Sequence, residues 1–467
     1  MSDAPTHAQP ASDGPRVAVV GGGVSGLAAA FHLARCGCSV ELIERDSDLG
    51  GRLGPGMLGE RAVMLGGKNI GRRYTSLRGF IGAFGHHPFE AFGINASRVE
   101  HGTVRTLDST RRARTARNAL GVGSPRDLLR LAGIAARVHR DPANRFLDSP
   151  LSAALGARYD RAPVSAHFGE KLTRNLLRPM GIRSNGAEPD ELYLGNFPTN
   201  LGLLMDTYDQ LQHGIQPVLE AFARRVPTRL ETLAHSVMFE DGRVSGLSVT
   251  EAQARERERA YDGVVVATTA RAAAQLVRDL HAPLAGELEH VSYFAGAVAL
   301  VEYDRPVFNA EVRALALDDG PCSNAGSYGI NDRHIVRYTF SGREARQSLA
   351  APELRETWID QAEQRLREHI PIAGAQRVHS VSRNWSTAYC GYVPEHARFL
   401  ARVRASLAEL PGLTLAGDYL LGSSLEACFR SGTDAAVALL AQLRQRPPRA
   451  PAPALPRRQG ATEAVVP

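Results

Sequence analysis

Three glycines, Gly21, Gly23 and Gly26, stand in the run VAVVGGGVSGLAAA at Val17–Ala30. Spaced as G-x-G-x-x-G between an apolar tetrad and a helix-forming run, they can hold a pyrophosphate. Gly21 permits the tight turn, Gly23 lets backbone approach the phosphates, Gly26 lets helix and strand pack closely, and the helix N-terminus faces the negative charge. Glu44 closes the next apolar run, SVELIE, eighteen residues beyond Gly26. A carboxylate there can accept hydrogen bonds from ribose hydroxyls and argues against a 2'-phosphate. A second glycine turn, RDSDLGGRL, supplies Gly50, Gly51 and the guanidinium of Arg52, a group suited to the same phosphates. A simple nicotinamide domain has no need of it.

The elements that position these residues are legible from pattern. Val17–Val20 reads as a short buried strand and the residues after Gly23 as a helix. SVMFEDGRVSGLSVT reads as a hairpin turning at Asp241 and Gly242, and YDGVVVATTA as a buried strand that ends at Ala267, Thr268 and Thr269. GLTLAGDYLLGSSLEACFRSG gives a strand, the pair Gly417 and Asp418, and a helix that Ser423 and Glu426 are spaced to open as a capping box. The first domain is therefore expected to be discontinuous. The N-terminus of the last helix, near Ser423, would stabilise negative charge arising on a group it faces.

Composition excludes several classes. At 467 residues, 43% hydrophobic and 22% charged, the chain suits a globular protein of two or three lobes. No run of eighteen apolar residues exists, and the first fifteen residues lack a basic flank followed by an apolar stretch, so a cytoplasmic protein is expected. Cys36, Cys38, Cys322, Cys390 and Cys428 are odd in number and unpaired in spacing, which predicts free thiols, no disulfide framework and no metal. Net charge is +6, yet the basic residues are scattered without an aromatic-bearing stripe, so nucleic acid is not an expected partner. Of 55 Lys and Arg residues only Lys68 and Lys171 are lysine, which singles out both. Residues 1–15 and the Pro- and Arg-rich 444–467 read as disordered tails.

With these motifs in order, the chain resembles the FAD-dependent superfamily of flavin amine oxidases, protoporphyrinogen oxidases and phytoene-type desaturases. The dinucleotide loop, GGR, VVVAT and AGDYLLGSSLEACFRSG carry the likeness. It implies an α/β fold: a discontinuous Rossmann-like FAD-binding domain (16–90, 206–285 and 405–443) with an inserted substrate lobe, helical over 91–205 and of mixed sheet and helix over 286–404. It also implies non-covalent FAD. Carried over by position, Gly21, Gly23, Ser25 and Gly26 would meet the pyrophosphate, Glu44 and Arg45 the adenosine ribose, Gly51 and Arg52 the phosphates, and Val237 the adenine through its backbone. Gly417 and Asp418 would meet the ribityl or pyrophosphate region, and Ser424 and Leu425 the flavin end.

Amine oxidases of the superfamily usually carry a lysine on the strand matching YFAGAVALVEY, and this chain has none there. Lys68, after Gly66 and Gly67 in a loop the family places beside the flavin, becomes the candidate to orient water or stabilise charge. Its alternative is a surface lysine in a turn. Tyr389 is a second catalytic candidate, and Tyr74, Trp385 and Tyr392 are candidate pocket walls. His213 and His396 are further candidate bases, and Cys390 a candidate for covalent attachment, though its spacing from Trp385 does not match that pattern. The implied activity is removal of two electrons from a C–C or C–N bond of a mainly apolar small molecule, with oxygen or a quinone as acceptor. The alternatives are an amine or amino acid oxidase releasing hydrogen peroxide, and a flavin-bound binding or chaperone subunit. PRDLLRLAGIAARVHR is amphipathic enough to touch a lipid surface peripherally, or to pack within its own lobe.

Overall fold

The computed structural model describes residues 14–92, 95–100, 103–108, 121–252, 254–317, 320–349, 356–370 and 374–445. Most of both expected tails, 1–13 and 446–467, lies outside these residues. Among them, Val17–Val20 forms a strand with no polar side chain, as suits a parallel sheet covered on both faces. It is the centre of a five-stranded parallel sheet ordered Thr228–Arg229, Ser39–Ile43, Arg16–Val20, Gly263–Val266 and Leu413–Leu415. Three distant stretches of chain build this one sheet.

The helices Val24–Arg35 and Leu425–Arg444 cover one face and touch backbone to backbone. A Cβ on Gly432 would stand 2.0 Å from the Ser25 carbonyl oxygen, so only glycine admits the crossing. Ser25 Oγ spans the same contact and donates to the Cys428 carbonyl at 2.8 Å. Alanines 28 to 30 and Ala435 and Ala436 complete the seam.

The hairpin Thr232–Glu240 and Arg243–Glu251 turns at Asp241 and Gly242, both at positive φ, as their residue types predict. A seven-stranded mixed sheet is ordered Arg377–Gly391, Ser292–Tyr303, Ile335–Phe340, Cys322–Ser327, Ala314–Ala316, Asn95–Glu100 and Thr103–Asp108. The last two strands fall in the stretch expected to be helical. NASRVE and TVRTLD carry little apolar residue content, so their alternation gives a weak strand signal, and they are held as the end of a sheet built elsewhere.

The remainder of that stretch is helical as expected. Pro125–Arg140 is capped by Ser124, whose Oγ accepts from the Asp127 amide, and buries Ile134 and Val138 in a helical core with Leu155, Leu172 and Phe197. It packs within its lobe while Leu129 stays exposed. No helix among the described residues is long and apolar enough to cross a membrane. The five cysteines are free.

His396 is buried beneath the parallel sheet, its Nε2 at 2.9 Å from the Tyr419 carbonyl. Desolvation pushes its pKa from 6.5 down to about 4.

Two outcomes follow from this packing. Gly432→Val should lose about 2 kcal/mol or more in urea unfolding. Gly79→Ala, where a Cβ meets nothing within 4 Å on a helix, should be neutral or gain up to about 1 kcal/mol. The unfolded chain binds a proton at His396 that the folded chain refuses, so stability should fall as pH drops below 6.5 toward about 4. The loss attributable to this residue is about 2 kcal/mol at pH 5. His396→Gln should flatten that part of the pH profile in thermal unfolding.

Candidate functional site

The two glycine turns meet face to face. Gly21 has φ +106°, and a Cβ there would come within 2.8 Å of the Ala267 carbonyl, while one on Gly26 would strike the Gly21 carbonyl at 1.8 Å. A Cβ on Gly23 meets nothing within 4 Å, so its backbone borders open space. The Gly50 amide donates to the Gly22 carbonyl at 2.9 Å, and a Cβ on Gly51 would lie 3.5 Å from Gly23 Cα. The helix beginning at Val24 has no side-chain cap and no acidic residue in its first turn. Exposed backbone, an uncapped helix start and no carboxylate in its first turn together fit a dinucleotide pyrophosphate.

Glu44 borders the same space, its carboxylate accepting from the amides of Gly22 at 2.6 Å and Asp46 at 3.0 Å. Arg45 turns outward to pair with Asp46. Ser25 lies at the pyrophosphate turn, but its hydroxyl is used between helices, which leaves only its backbone for a ligand. Val237 is packed inside the hairpin with Val244 and Leu247. The backbone bonded to the Glu44 segment is five to eight residues earlier: Arg229 carbonyl, Glu231 amide and Thr232 amide. Leu230 and Leu233 on this segment are exposed apolar residues that sequence reading missed. The signal available was their place just beyond Thr228–Arg229, the strand that pairs with SVELI.

Arg52 reaches Asp418 with an N–O distance of 2.5 Å across 366 residues of sequence. Burial opposes the charge on Arg52, but the Asp418 carboxylate more than offsets it and raises the guanidinium pKa. The buried carboxylate also accepts from Tyr293 Oη at 3.1 Å, and that hydroxyl accepts the Ala270 amide. Gly417 donates its amide to Ser431 Oγ at 3.0 Å.

The expected Ser423 and Glu426 capping box does not form. Ser424 is the cap, accepting from the Ala427 amide at 3.0 Å. Glu426 instead accepts from the Ser76 and Leu77 amides, both at 3.1 Å, and so caps the helix Thr75–Ala83. The Glu426 carboxylate is thereby unavailable for the reciprocal bond to the Ser423 amide. Leu425 presses on the loop of Gly66 and Gly67, where a Cβ on Gly67 would meet its Cδ2 at 3.1 Å.

A cavity of about 470 Å³ opens beyond this loop. It brings together Arg52, Lys68, Tyr74, Trp385, Tyr389, Ser424 and Leu425 from the sequence candidates. It does not include Tyr392, which sits in the core under the parallel sheet with its ring 5.5 Å from that of His396. The chain leaves its long strand at Gly391, and the turn carries the next tyrosine into that core. His213 is exposed on a turn and His396 is buried away from the cavity, so neither stands where a base would act. Cys390 is fully buried, and desolvation raises its thiol pKa well above the ordinary value, which keeps it protonated.

Lys68 is no surface lysine. It is 4% exposed, and its Nζ donates to Gln210 Oε1 at 2.7 Å and to the Tyr328 carbonyl at 2.5 Å. The ammonium lies 3.6 Å from the Phe92 ring centroid and 4.8 Å from that of Tyr328. Burial, with Arg337 nearby, lowers its pKa well below the ordinary value. Tyr389 is also deep in the fold, where desolvation raises its pKa against the opposing pull of Arg337 and Arg183. Three cavity residues had no sequence signal: Arg183, Arg313 and Arg337 come from inserts whose arrangement only the fold defines.

Comparison with solved structures gives the same fold at low identity. A cyclohexylamine oxidase from Brevibacterium oxydans is 19% identical with a TM-score of 0.71, covering 92% of this chain and 100% of that one. A putrescine oxidase is 16% identical with a TM-score of 0.69, covering 91% and 99%. A carotenoid phi-ring synthase from Streptomyces griseus is 43% identical over 74 residues, which are 15% of this chain and only 14% of that protein. The model of the family described as flavin containing amine oxidoreductase matches residues 24–440. The chain belongs to that family, and its cofactor is FAD.

Proposed function

We propose that this protein is an FAD-dependent dehydrogenase or oxidase that removes two electrons from a C–C or C–N bond of a mainly apolar small molecule. The observation that carries this reading is the continuity of the cavity. It runs from Arg52, Gly66, Gly67 and Leu425, at the expected flavin end, to Val298, Leu203, Ile330 and Met180 on the inserted elements. When bound, FAD would supply a two-electron acceptor. The protein supplies alignment, a dry wall and compensation of charge.

Each of these tasks has candidate residues. Leu425 and Trp385 fix the width of the passage, and Trp385 is itself held against Gly54, where no Cβ would fit. The amides opening Leu425–Arg444 face the flavin end and can stabilise negative charge there. Lys68, whose pKa is lowered by burial and by Arg337, lines the cavity and can hold a water or exchange a proton at Nζ. Tyr389 stays protonated and can donate from Oη. Oxygen or a quinone would accept the electrons. The apolar wall suits a mainly hydrophobic substrate, and contact with a membrane surface through Pro125–Arg140 would be peripheral. An amine or amino acid oxidase is the second reading, favoured by the family's description.

Acid precipitation of the yellow protein should release all flavin into the supernatant. Flavin left in the pellet would instead assign a bond to Cys390. Anaerobic mixing with an apolar substrate should bleach the visible bands, and bands that survive every candidate compound would favour a non-catalytic flavin-bound subunit. Lys68→Met should retain flavin content while slowing flavin reduction or reoxidation about tenfold or more in stopped flow. Unchanged rates for both half-reactions would remove Lys68 from the chemistry.

A further inference from the structure

The charge on the cavity wall is one-sided. Arg52, Lys68, Arg183, Arg313 and Arg337 line it, and among the described lining residues there is no Asp or Glu. The nearby carboxylates are turned elsewhere. Asp418 is engaged by Arg52 and Tyr293, Asp332 by both terminal nitrogens of Arg61, and Glu90 by Gln210.

Most of the cations are committed as well. Lys68 is held by Gln210 and Tyr328, and Arg337 donates to the carbonyls of Met64 and Gly66 at 3.4 and 3.1 Å, which fixes the loop preceding Lys68. Arg183 differs. Among the described residues it has no hydrogen bond and no ion pair, only the phenol of Tyr389 within electrostatic reach. A single π turn, Thr173–Leu177, runs into the helix Arg178–Asn185, and such turns favour functional positions. Together they present Asn175, Leu176, Pro179, Met180, Arg183 and Ser184 to the cavity as one face, on which Arg183 is the only charge.

Arg183 is exposed toward open space and Arg337 is half-buried, and among the described residues neither forms an ion pair with a carboxylate. A bound anion would supply the missing partner, whereas a bound ammonium would be repelled. A planar, monoanionic carboxylate matches the free fork of one guanidinium, while a phosphate dianion would call for more donors than one arginine gives.

We infer that the substrate of this cavity is an acid, a carboxylate on an apolar body, and that Arg183 receives the carboxylate while Arg337 adds field. The inference rests on the proposal that this cavity is the substrate site. It sets the acids, including amino acids, apart from simple amines as the substrate class.

The test is binding to the FAD-loaded protein at pH 7.5, read by flavin spectral perturbation and by calorimetry. Two matched series serve as probes: decanoate, decanamide and decylamine, and 4-phenylbutyrate, its amide and 4-phenylbutylamine. In at least one series the acid should bind about tenfold or more tighter than its amide, and the amine weakest of the three. Arg183→Met should abolish the preference with flavin content and melting temperature unchanged, and Arg183→Lys should restore part of it. Acids that bind no better than their amides or amines in both series overturn the inference, as does a preference that survives Arg183→Met. Acid preference in a protein whose flavin no compound bleaches would sink the proposed reaction and leave the anion site standing. Bleaching by amines with no acid preference would do the reverse.

Discussion

The ion pair between Arg52 and Asp418 is the contact on which the site depends. It joins the second glycine turn to the start of the last helical segment, and through Tyr293 it ties in the strand Ser292–Tyr303 of the larger sheet. Asp418 is 3% exposed, so this carboxylate is tolerable only because a guanidinium and a phenol satisfy it together. The pair does more than cancel charge. The same Arg52 accepts the Gly67 amide at its carbonyl, so the pair also ties the loop of Gly66 and Gly67 to the C-terminal segment.

Around that pair, glycine works by absence of a side chain at a few places. Gly23 leaves backbone open toward a ligand, Gly26 permits the tight strand-to-helix turn, and Gly432 lets two helices touch. The same region shows side chains with divided duties. Glu426 caps a neighbouring helix and so couples Thr75–Ala83, the helix that follows Tyr74, to Leu425–Arg444. The wall beyond is apolar and cationic, with Arg183 and Arg337 on it and no Asp or Glu among its described lining residues.

Local pattern made the nucleotide half of this protein legible. Val17–Val20, the G-x-G-x-x-G run, Glu44 and the Asp241 and Gly242 turn each carry their structure in a few adjacent residues, and the observed fold agrees with them. Ser424 was one residue from the expected cap, because two adjacent serines offer the same chemistry and only the position of Glu426 decides between them. The cavity was legible in part: Lys68, Tyr74, Trp385 and Tyr389 converge, while Tyr392 follows the chain into the core. Arg183 and Arg337 stayed hidden among 53 arginines, since what distinguishes them is the company they lack, and that is a property of the tertiary fold. Asn95–Glu100 and Thr103–Asp108 were likewise invisible, being strands only because a sheet built from distant residues accepts them.

The crossing of Val24–Arg35 with Leu425–Arg444 has a consequence for the order of assembly. The first strand and helix are synthesised at once, yet the helix's tightest partner, Gly432, and the sheet's last strand, Leu413–Leu415, leave the ribosome some four hundred residues later. During that interval the alanine seam of the first helix has no cover, and the loops that close on each other are among the longest the chain can form. The sheet and the helix pair that frame the glycine turns are therefore complete only when the C-terminal segment Leu413–Arg444 has been made.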